Sequence, residues 1–299
     1  MRKEILLSPT SPYDFDLSFA YLSPNRPDPI VHFDGKVFRR VWPMNNGSSC
    51  LISIESKGTV ERPQLGLTME APELTAEDLT SCEAQIRKAF CLDLDLLDFY
   101  EMVKSDPTLH AICLKNRGLR PVLEPDLFET ITWAIIGQQV NLRFACQVKE
   151  GMLKRFARRW NVDGHTFYHY PMPAEICGLD PDEWREFKCS RRKAEYIIGL
   201  AEKIQDGFDL EALGKLPDAE VARELVKMRG IGPWTAEYAL IRGLGRWDTL
   251  PVGDAGLLNG VKRAYGLSRK PTEDELLKIA ENWRPYRGLA TYYLWWGEK

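Results

Sequence analysis

Apolar and polar residues alternate in short segments near the start of the chain. Between residue 13 and about residue 70, turn residues separate the segments DFDLSFAYL, IVHFDGKVFRRVW and CLISIESKGTVERPQLGL. A period of two is typical of strands with one buried face. The dipeptides Asp34-Gly35 and Lys57-Gly58 stand where hairpin turns belong. The pattern predicts an antiparallel β-sheet.

From about Thr75 onward, the apolar positions follow a helical period. The segment LTAEDLTSCEAQIRKAF opens like a capping box, and Ile86 and Phe90 are one i,i+4 step apart. The long apolar stretch from Leu127 to about Gln147 predicts one helix, which continues into a basic end. Further helices are predicted at about 181–187, 191–206, 217–228, 233–242, 254–265, 273–281 and 285–296. No further strand is predicted.

The two patterns together predict an α+β protein in which an antiparallel sheet domain precedes an all-α domain. The length of 299 residues suits two domains. We place the sheet domain at residues 1–92 and the helical domain at 93–299. Candidate subdomains of the helical part are residues 119–247, and residues 93–118 together with 248–299.

Composition narrows the class of protein. Hydrophobic residues make up 44% of the chain and charged residues 28%, as in ordinary globular proteins. No apolar run reaches the roughly 18 residues that span a bilayer. We therefore expect a cytoplasmic protein with no membrane association.

Cysteine and histidine positions argue against a metal site. The seven cysteines are odd in number, contain no C-x-x-C pair and do not cluster with the four histidines. The histidines show no spacing typical of metal ligands or of a catalytic triad. We expect reduced thiols, no disulfide framework and no bound metal.

A glycine-rich turn in the helical part carries the clearest signal of function. In the segment MRGIGPW, Gly230 and Gly232 flank a single isoleucine, and Pro233 starts the next helix. One interpretation is a generic helical hairpin. The other is an anion site, because unobstructed backbone N–H groups at a helix N-terminus attract phosphate. Since the net charge is −3, DNA binding would need such a local site.

An aspartate follows the hairpin at a suggestive distance. Asp254 lies 22 residues after Gly232 in the segment LPVGDAGLL, at the expected start of a helix. Helix capping alone would account for it. The order of hairpin, Gly/Pro-rich loop and aspartate is also the order found in helix-hairpin-helix DNA glycosylases.

At this point the chain resembles the helix-hairpin-helix DNA glycosylase superfamily, and specifically the 3-methyladenine DNA glycosylase II (AlkA) family. The resemblance covers nearly the whole chain. After the sheet domain, the matching segments are, in order, FETITWAIIGQQVN, GIGPWTAEY, LPVGDAGL and RPYRGLATYYLWW. It implies a helix-hairpin-helix glycosylase domain that flips alkylated bases, such as 3-methyladenine and 7-methylguanine, out of double-stranded DNA and excises them by hydrolysis.

The resemblance also implies roles for particular residues. Asp254 matches the catalytic carboxylate, and the hairpin with Gly230, Gly232 and Thr235 matches the phosphate-binding element. Gln139 stands at the place of the wedge that fills the gap left by the flipped base, where many relatives carry leucine. A partly buried glutamine at a helix end is the alternative for Gln139.

Two branches of the superfamily do not fit. The bifunctional branch has a nucleophilic lysine two residues past the second hairpin glycine, where this chain has Trp234. The iron–sulfur branch has four cysteines after the catalytic aspartate, whereas the last cysteine here is Cys189. The resemblance therefore implies a monofunctional enzyme without a cofactor, although a monovalent cation at the hairpin stays open.

The base pocket and the DNA surface are expected from residue chemistry. Aromatic faces attract a cationic base by roughly 0.5–2 kcal/mol per contact, and the candidates are Trp234, Tyr238 and Trp295, each of which can equally be core. Arg143 is a candidate phosphate contact. The basic run Lys188, Arg191, Arg192 and Lys193 either contacts phosphates or is a solvated helix start.

Two other functions remain open on the sequence. The protein could be a non-catalytic binder of damaged DNA that keeps only the hairpin, or a glycosylase for other lesions. A carboxylate at position 254 favours catalysis, because a binder does not need it. We expect a monomer.

Overall fold

A computed structural model describes residues 1–20, 30–44, 47–162 and 164–296 of the chain. It begins with a five-stranded antiparallel sheet in the order β1-β5-β4-β3-β2. The strands are β1 (Arg2–Leu7), β2 (Val31–Phe33), β3 (Val37–Pro43), β4 (Ser49–Ser56) and β5 (Leu65–Glu70). The predicted sheet is confirmed, with β1 as a strand that the sequence pattern did not indicate.

The turn between β2 and β3 forms as the sequence predicts. The Asp34 carboxylate accepts hydrogen bonds from the backbone N–H groups of Lys36 and Val37, at 3.0 and 2.8 Å. Gly35 has φ +90°, which glycine adopts without strain.

The first predicted strand segment is wrong over its described part. Residues Phe15–Phe19 form helix α1, and residues 21 and 22 of that segment lie outside the described residues. Asp14 caps the helix by accepting from the Leu17 N–H at 2.9 Å. Phe15 and Phe19 lie on one face of the helix and are buried. Their i,i+4 spacing is therefore that of a helix, and the alternation of apolar and polar residues wrongly indicated a strand.

Helices make up most of the remaining chain. They are α2 (Ala76–Ala89), α3 (Leu97–Met102), α4 (Pro107–Lys115), α5 (Leu127–Gly137), α6 (Leu142–Phe156), α7 (Pro173–Ile176), α8 (Arg191–Gln205), α9 (Leu210–Leu213), α10 (Asp218–Val226), α11 (Pro233–Arg242), α12 (Ala255–Ala264), α13 (Glu273–Ala280) and α14 (Arg287–Trp296). Short 3-10 helices cover Val103–Ser105, Pro181–Phe187 and Glu281–Trp283. The α+β class is confirmed.

The single long helix predicted from Leu127 to about Gln147 is wrong. The chain leaves the helix at Gln138, takes φ +55° at Gln139, and starts α6 after Asn141. Asn141 caps α6 by accepting from the Phe144 N–H at 2.9 Å. The interruption turns α6 away from α5 and creates an exposed turn.

The expectation of no strand after Thr75 is also wrong. Strands β6 (Arg159–Val162) and β7 (His165–Tyr168) form a hairpin. Phe167 packs with Val41 and Leu51 of the large sheet. The Asp163-Gly164 dipeptide was a turn signal that the pattern analysis overlooked.

Three large hydrophobic cores occupy the described part of the chain. One joins the sheet to α1 and α2, one joins α5, α6, α8, α10 and α11, and one joins α3 and α4 to α12 and α14. The predicted division of the chain into domains and subdomains stays a prediction. No helix in the described ranges is long and apolar enough to cross a membrane.

The Arg120 side chain connects the sheet region to the helical region. It is fully buried, and its guanidinium donates to the carbonyls of Thr10 at 2.7 Å, Pro12 at 2.9 Å and Leu94. Thr10 and Pro12 belong to the segment after β1, and Leu94 precedes α3, so that one side chain joins two other segments to its own.

We predict that Arg120→Met lowers the free energy of unfolding by about 3 kcal/mol or more, because three carbonyls around this fully buried side chain lose their donors. Arg117→Met is the matched control. Arg117 is exposed and pairs with the exposed Glu61, so we expect a loss of roughly 0–1 kcal/mol. Urea unfolding of both variants measures the difference, and equal losses would contradict this role of Arg120.

Candidate active site

The glycine hairpin joins α10 to α11 and needs each glycine for a different reason. Gly230 has φ +91°, and a Cβ there would stand 2.2 Å from Cγ of the Tyr196 ring. A Cβ on Gly232 would meet nothing within 4 Å. Gly230 thus permits close packing, whereas Gly232 leaves the N-terminus of α11 uncovered.

The first turn of α11 presents backbone donors. The first intrahelical bond runs from the Ala236 N–H to the Gly232 carbonyl at 3.1 Å. The N–H groups before it have no acceptor within the helix. The hairpin therefore has the backbone geometry of an anion site, as the sequence predicts. Thr235 itself is buried, and its hydroxyl accepts from Gln138 Nε2 at 3.1 Å.

Asp254 is the N-cap of α12 and is 8% exposed. Its Oδ1 accepts from the Leu257 N–H at 2.6 Å and from Trp295 Nε1 at 2.8 Å. Its Oδ2 accepts from Trp234 Nε1 at 2.8 Å. Capping uses only one of these three bonds. The two indole N–H groups fix the orientation of the carboxylate beyond what a helix cap requires.

Gly256 makes the contact between Trp295 and Asp254 possible. A Cβ at residue 256 would lie 3.0 Å from Asp254 Oδ1 and 3.2 Å from Trp295 Nε1. Since 3.0–3.2 Å is tighter than ordinary packing, a side chain at residue 256 would have to displace the Trp295 indole or the Asp254 carboxylate by a few tenths of an ångström. No sequence pattern singled out this glycine.

The three aromatic candidates form one wall. The ring centroids of Trp234 and Tyr238 are 5.6 Å apart, and those of Tyr238 and Trp295 are 6.3 Å apart. All three are half-buried and line a cleft of about 1050 Å³ that also contains Asp254. Trp133, which the sequence analysis missed, donates from Nε1 to the Tyr238 hydroxyl at 3.1 Å and lines the same cleft.

The far part of the cleft is lined by charged side chains that the sequence analysis also missed. Glu124 Oε1 accepts from Arg242 Nη2 at 3.3 Å, and Glu124 Oε2 lies 3.8 Å from Arg40 Nη1. Arg40 also pairs with the buried Glu129. Burial raises the pKa of Glu129 to about 7, although Arg40 and Lys149 act to lower it. Because Arg40 lies on β3, the sheet forms part of the cleft.

The mouth of the cleft is formed by the turn between α5 and α6. Gln139 is exposed there in the left-handed conformation. Gln139 is therefore exposed and not partly buried, while its role as the wedge stays a prediction. Arg143 is exposed in the first turn of α6.

The basic run is mostly engaged within the protein. Arg191 pairs with Asp182 and Glu195. Arg192 donates to the Tyr196 hydroxyl. Lys193 Nζ donates to the carbonyls of Ile136 and Gln138, both at 2.7 Å. Lys193 thus contacts the turn that carries Gln139.

No group of three or more His, Cys, Asp or Glu side chains is placed to bind a metal ion within the described residues. The seven cysteines are free thiols. The possible monovalent cation at the hairpin stays a prediction.

The fold and the cleft together define a class: a sheet followed by helices, in which a glycine-rich helical hairpin adjoins a carboxylate in an aromatic cleft. The profile of the "HhH-GPD superfamily base excision DNA repair protein" family matches residues 132–285. The chain belongs to this HhH-GPD superfamily.

Similarity to individual proteins supports this assignment to the superfamily. The chain is 39% identical over 211 residues to the DNA-3-methyladenine glycosylase of Bacillus subtilis, covering 70% of each chain. The fold of the 3-methyladenine DNA-glycosylase from Archaeoglobus fulgidus superposes with a TM-score of 0.84 at 24% identity, over 97% of each chain. The Schizosaccharomyces pombe 3-methyladenine DNA glycosylase, solved with abasic DNA, superposes with a TM-score of 0.57 at 26% identity, over 66% of this chain and 95% of that one.

We predict that Gly230→Ala destabilises the protein by roughly 1–3 kcal/mol, because alanine must adopt a positive φ and displace the Tyr196 ring. Gly232→Ala should unfold near the wild-type temperature, since its added methyl group has open space. Thermal unfolding of the two variants makes the comparison. A larger loss for Gly232→Ala would contradict the assigned roles.

Proposed function

We propose that this protein is a monofunctional DNA glycosylase that turns an alkylated base of the 3-methyladenine or 7-methylguanine type out of duplex DNA and hydrolyses its N-glycosidic bond. One observation carries the proposal. Both carboxylate oxygens of Asp254 are hydrogen-bonded by indole groups that also line a cleft large enough for a base. A helix cap alone has no use for this arrangement.

DNA binding starts at the hairpin. The uncovered N–H groups around Gly232 bind a backbone phosphate, and Arg143 is placed to bind another from the neighbouring helix start. A few such contacts suffice despite a net charge of −3, because each neutralised phosphate releases counterions. These contacts carry no sequence information, which suits a repair enzyme.

Base extrusion follows. Removing a base from the stack costs a few kcal/mol, and less when the base is damaged. Gln139 projects from the turn between α5 and α6 at the cleft mouth. In this position it enters the duplex and occupies the space that the base leaves.

The aromatic wall selects the base. A 3-methyladenine or 7-methylguanine nucleotide carries positive charge on its ring, and Trp and Tyr faces stabilise a cation within about 6 Å by roughly 0.5–2 kcal/mol. Trp234, Tyr238 and Trp295 present such faces. A neutral base lacks the cation–π part of this attraction and is bound less well.

Asp254 acts on the sugar. As the C1′–N bond breaks, its electron pair leaves with the base, and positive charge develops on the sugar. A nearby carboxylate stabilises this charge and accepts a proton from the water that attacks C1′. Because a cationic base is already a good leaving group, no general acid is required. The indole donors of Trp234 and Trp295 keep both carboxylate oxygens in place.

A lyase reaction is not part of the proposal. It needs an amine that forms a Schiff base with C1′, and Trp234 stands at the corresponding position. Among the described residues that line the cleft there is no lysine. The remaining alternative, a non-catalytic binder of damaged DNA, predicts that Asp254 can be replaced without consequence. We expect a cytoplasmic monomer that needs no cofactor.

Asp254→Asn tests the assignment. We expect base release from methylated DNA to fall about 10²-fold or more, while the affinity for DNA stays near that of the wild type. Chromatography of released bases and a gel-shift titration measure the two quantities. The control is Asp209→Asn. It changes an exposed aspartate that also caps a helix and is distant from Asp254 in the sequence. Near-normal base release by Asp254→Asn would refute the catalytic role.

We also predict that base excision proceeds without a covalent protein–DNA intermediate. After reaction with methylated DNA in the presence of sodium borohydride, the product should contain abasic sites in intact strands. A protein–DNA adduct on a denaturing gel would show a Schiff base and therefore a different mechanism.

A further inference from the structure

The turn between α5 and α6, residues 138–140, is not held by its own backbone. Its two local bonds are long: Gln138 N–H to the Ile135 carbonyl at 3.3 Å, and Val140 N–H to the Gly137 carbonyl at 3.5 Å. Gln139 nevertheless has φ +55°. A non-glycine residue keeps that conformation only when its surroundings impose it.

Lys193 of α8 holds this turn from one side. Its ammonium donates to the Ile136 and Gln138 carbonyls, both at 2.7 Å. Ile136 belongs to the last turn of α5, whose carbonyls lack intrahelical donors. An ammonium group has three N–H donors, so two of the three are committed inside the protein. A phosphate contact would have to compete with these bonds.

Gln138 holds the turn from the other side and connects it to the hairpin. Its Nε2 donates to the Gly230 carbonyl at 2.8 Å and to the Thr235 hydroxyl at 3.1 Å. Gly230 belongs to the hairpin, and Thr235 to the first turn of α11. The Gln138 side chain thus links the turn that carries Gln139 to the predicted phosphate site.

We propose that Lys193 and Gln138 are positioning residues that fix the turn to the hairpin, so that Gln139 is aligned for base extrusion as soon as the hairpin binds a phosphate. They act on extrusion and not on DNA affinity. Their effect on base extrusion rests on the proposed function, whereas their anchoring of the turn does not. A prearranged Gln139 reduces the ordering that base extrusion would otherwise require.

The test uses Lys193→Met, which removes the donors and the charge but keeps the length of the side chain. Lys203→Met is the control, because it removes the same charge from an exposed position on the same helix. Lys193→Arg restores a donor to the carbonyls. Gln138→Leu breaks the link to the hairpin without a change of charge, and it replaces Lys193→Met as the test if that variant does not fold.

Four measurements separate the possible roles of Lys193. Hydrogen exchange of residues 137–141 in the free protein reports the anchoring. Fluorescence of 2-aminopurine next to a lesion reports extrusion, and single-turnover base release reports catalysis. The salt dependence of binding to undamaged DNA counts phosphate contacts.

In Lys193→Met and Gln138→Leu we expect faster exchange of the turn, a smaller extrusion signal and base release reduced about tenfold or more. The salt slope should equal that of Lys203→Met, and Lys193→Arg should recover part of the rate. A salt slope lower than that of Lys203→Met by about one, with normal extrusion, would instead make Lys193 a phosphate contact and overturn the proposal. Unchanged exchange in both variants would overturn the anchoring even if the enzyme excises bases. If the wild type releases no base, the proposed function fails, and exchange still decides the anchoring.

Discussion

The hydrogen bonds from two tryptophan indoles to the Asp254 carboxylate are the interaction on which the candidate site depends. Trp234 comes from the start of α11, directly after the hairpin, and Trp295 comes from α14 near the end of the chain. The carboxylate itself starts α12. One acidic side chain thus ties together three helices that are far apart in sequence. Both tryptophans and Asp254 line the cleft, and these bonds hold the carboxylate in one orientation beside the two rings.

The sheet has a direct part in this arrangement. Arg40 on β3 reaches Glu124 and Glu129 at the inner part of the cleft, and Arg120 ties the segment after β1 to the helices. Burying this many charged groups is costly unless each has a partner. These ion pairs therefore hold the sheet and the helices in one arrangement. The cleft that lies between them keeps its shape as a result.

Local sequence signals predicted the parts of the fold that are determined locally. Glycine and proline around Ile231 marked the hairpin, and Asp254 marked the start of α12 within one residue. Residue chemistry suggested Trp234, Tyr238 and Trp295 as a base pocket, and the three do meet in one cleft, while their role stays a prediction.

Features that depend on contacts between distant residues could not be predicted from the sequence. The break after Gly137 is imposed by Lys193 and Gln138, whose partners lie about 55 and 92 residues away in the chain. Gly137 and Asn141 are local signals of a break, but the apolar residues on either side of them follow one helical pattern. Likewise, the tryptophans were expected to act through their ring faces, and only the structure shows that their N–H groups bind Asp254. The charged inner part of the cleft brings β3 next to α5 and α11, which no local pattern encodes.

The most direct test of this account is the incubation of the purified wild-type protein with DNA methylated by a simple alkylating agent, followed by chromatography of the free bases and a gel of the strands. We expect free 3-methyladenine and 7-methylguanine to appear while the strands stay intact until the abasic sites are cleaved by alkali. Tight binding of the methylated DNA without release of any base would contradict the account, because the carboxylate and the aromatic cleft would then serve recognition alone.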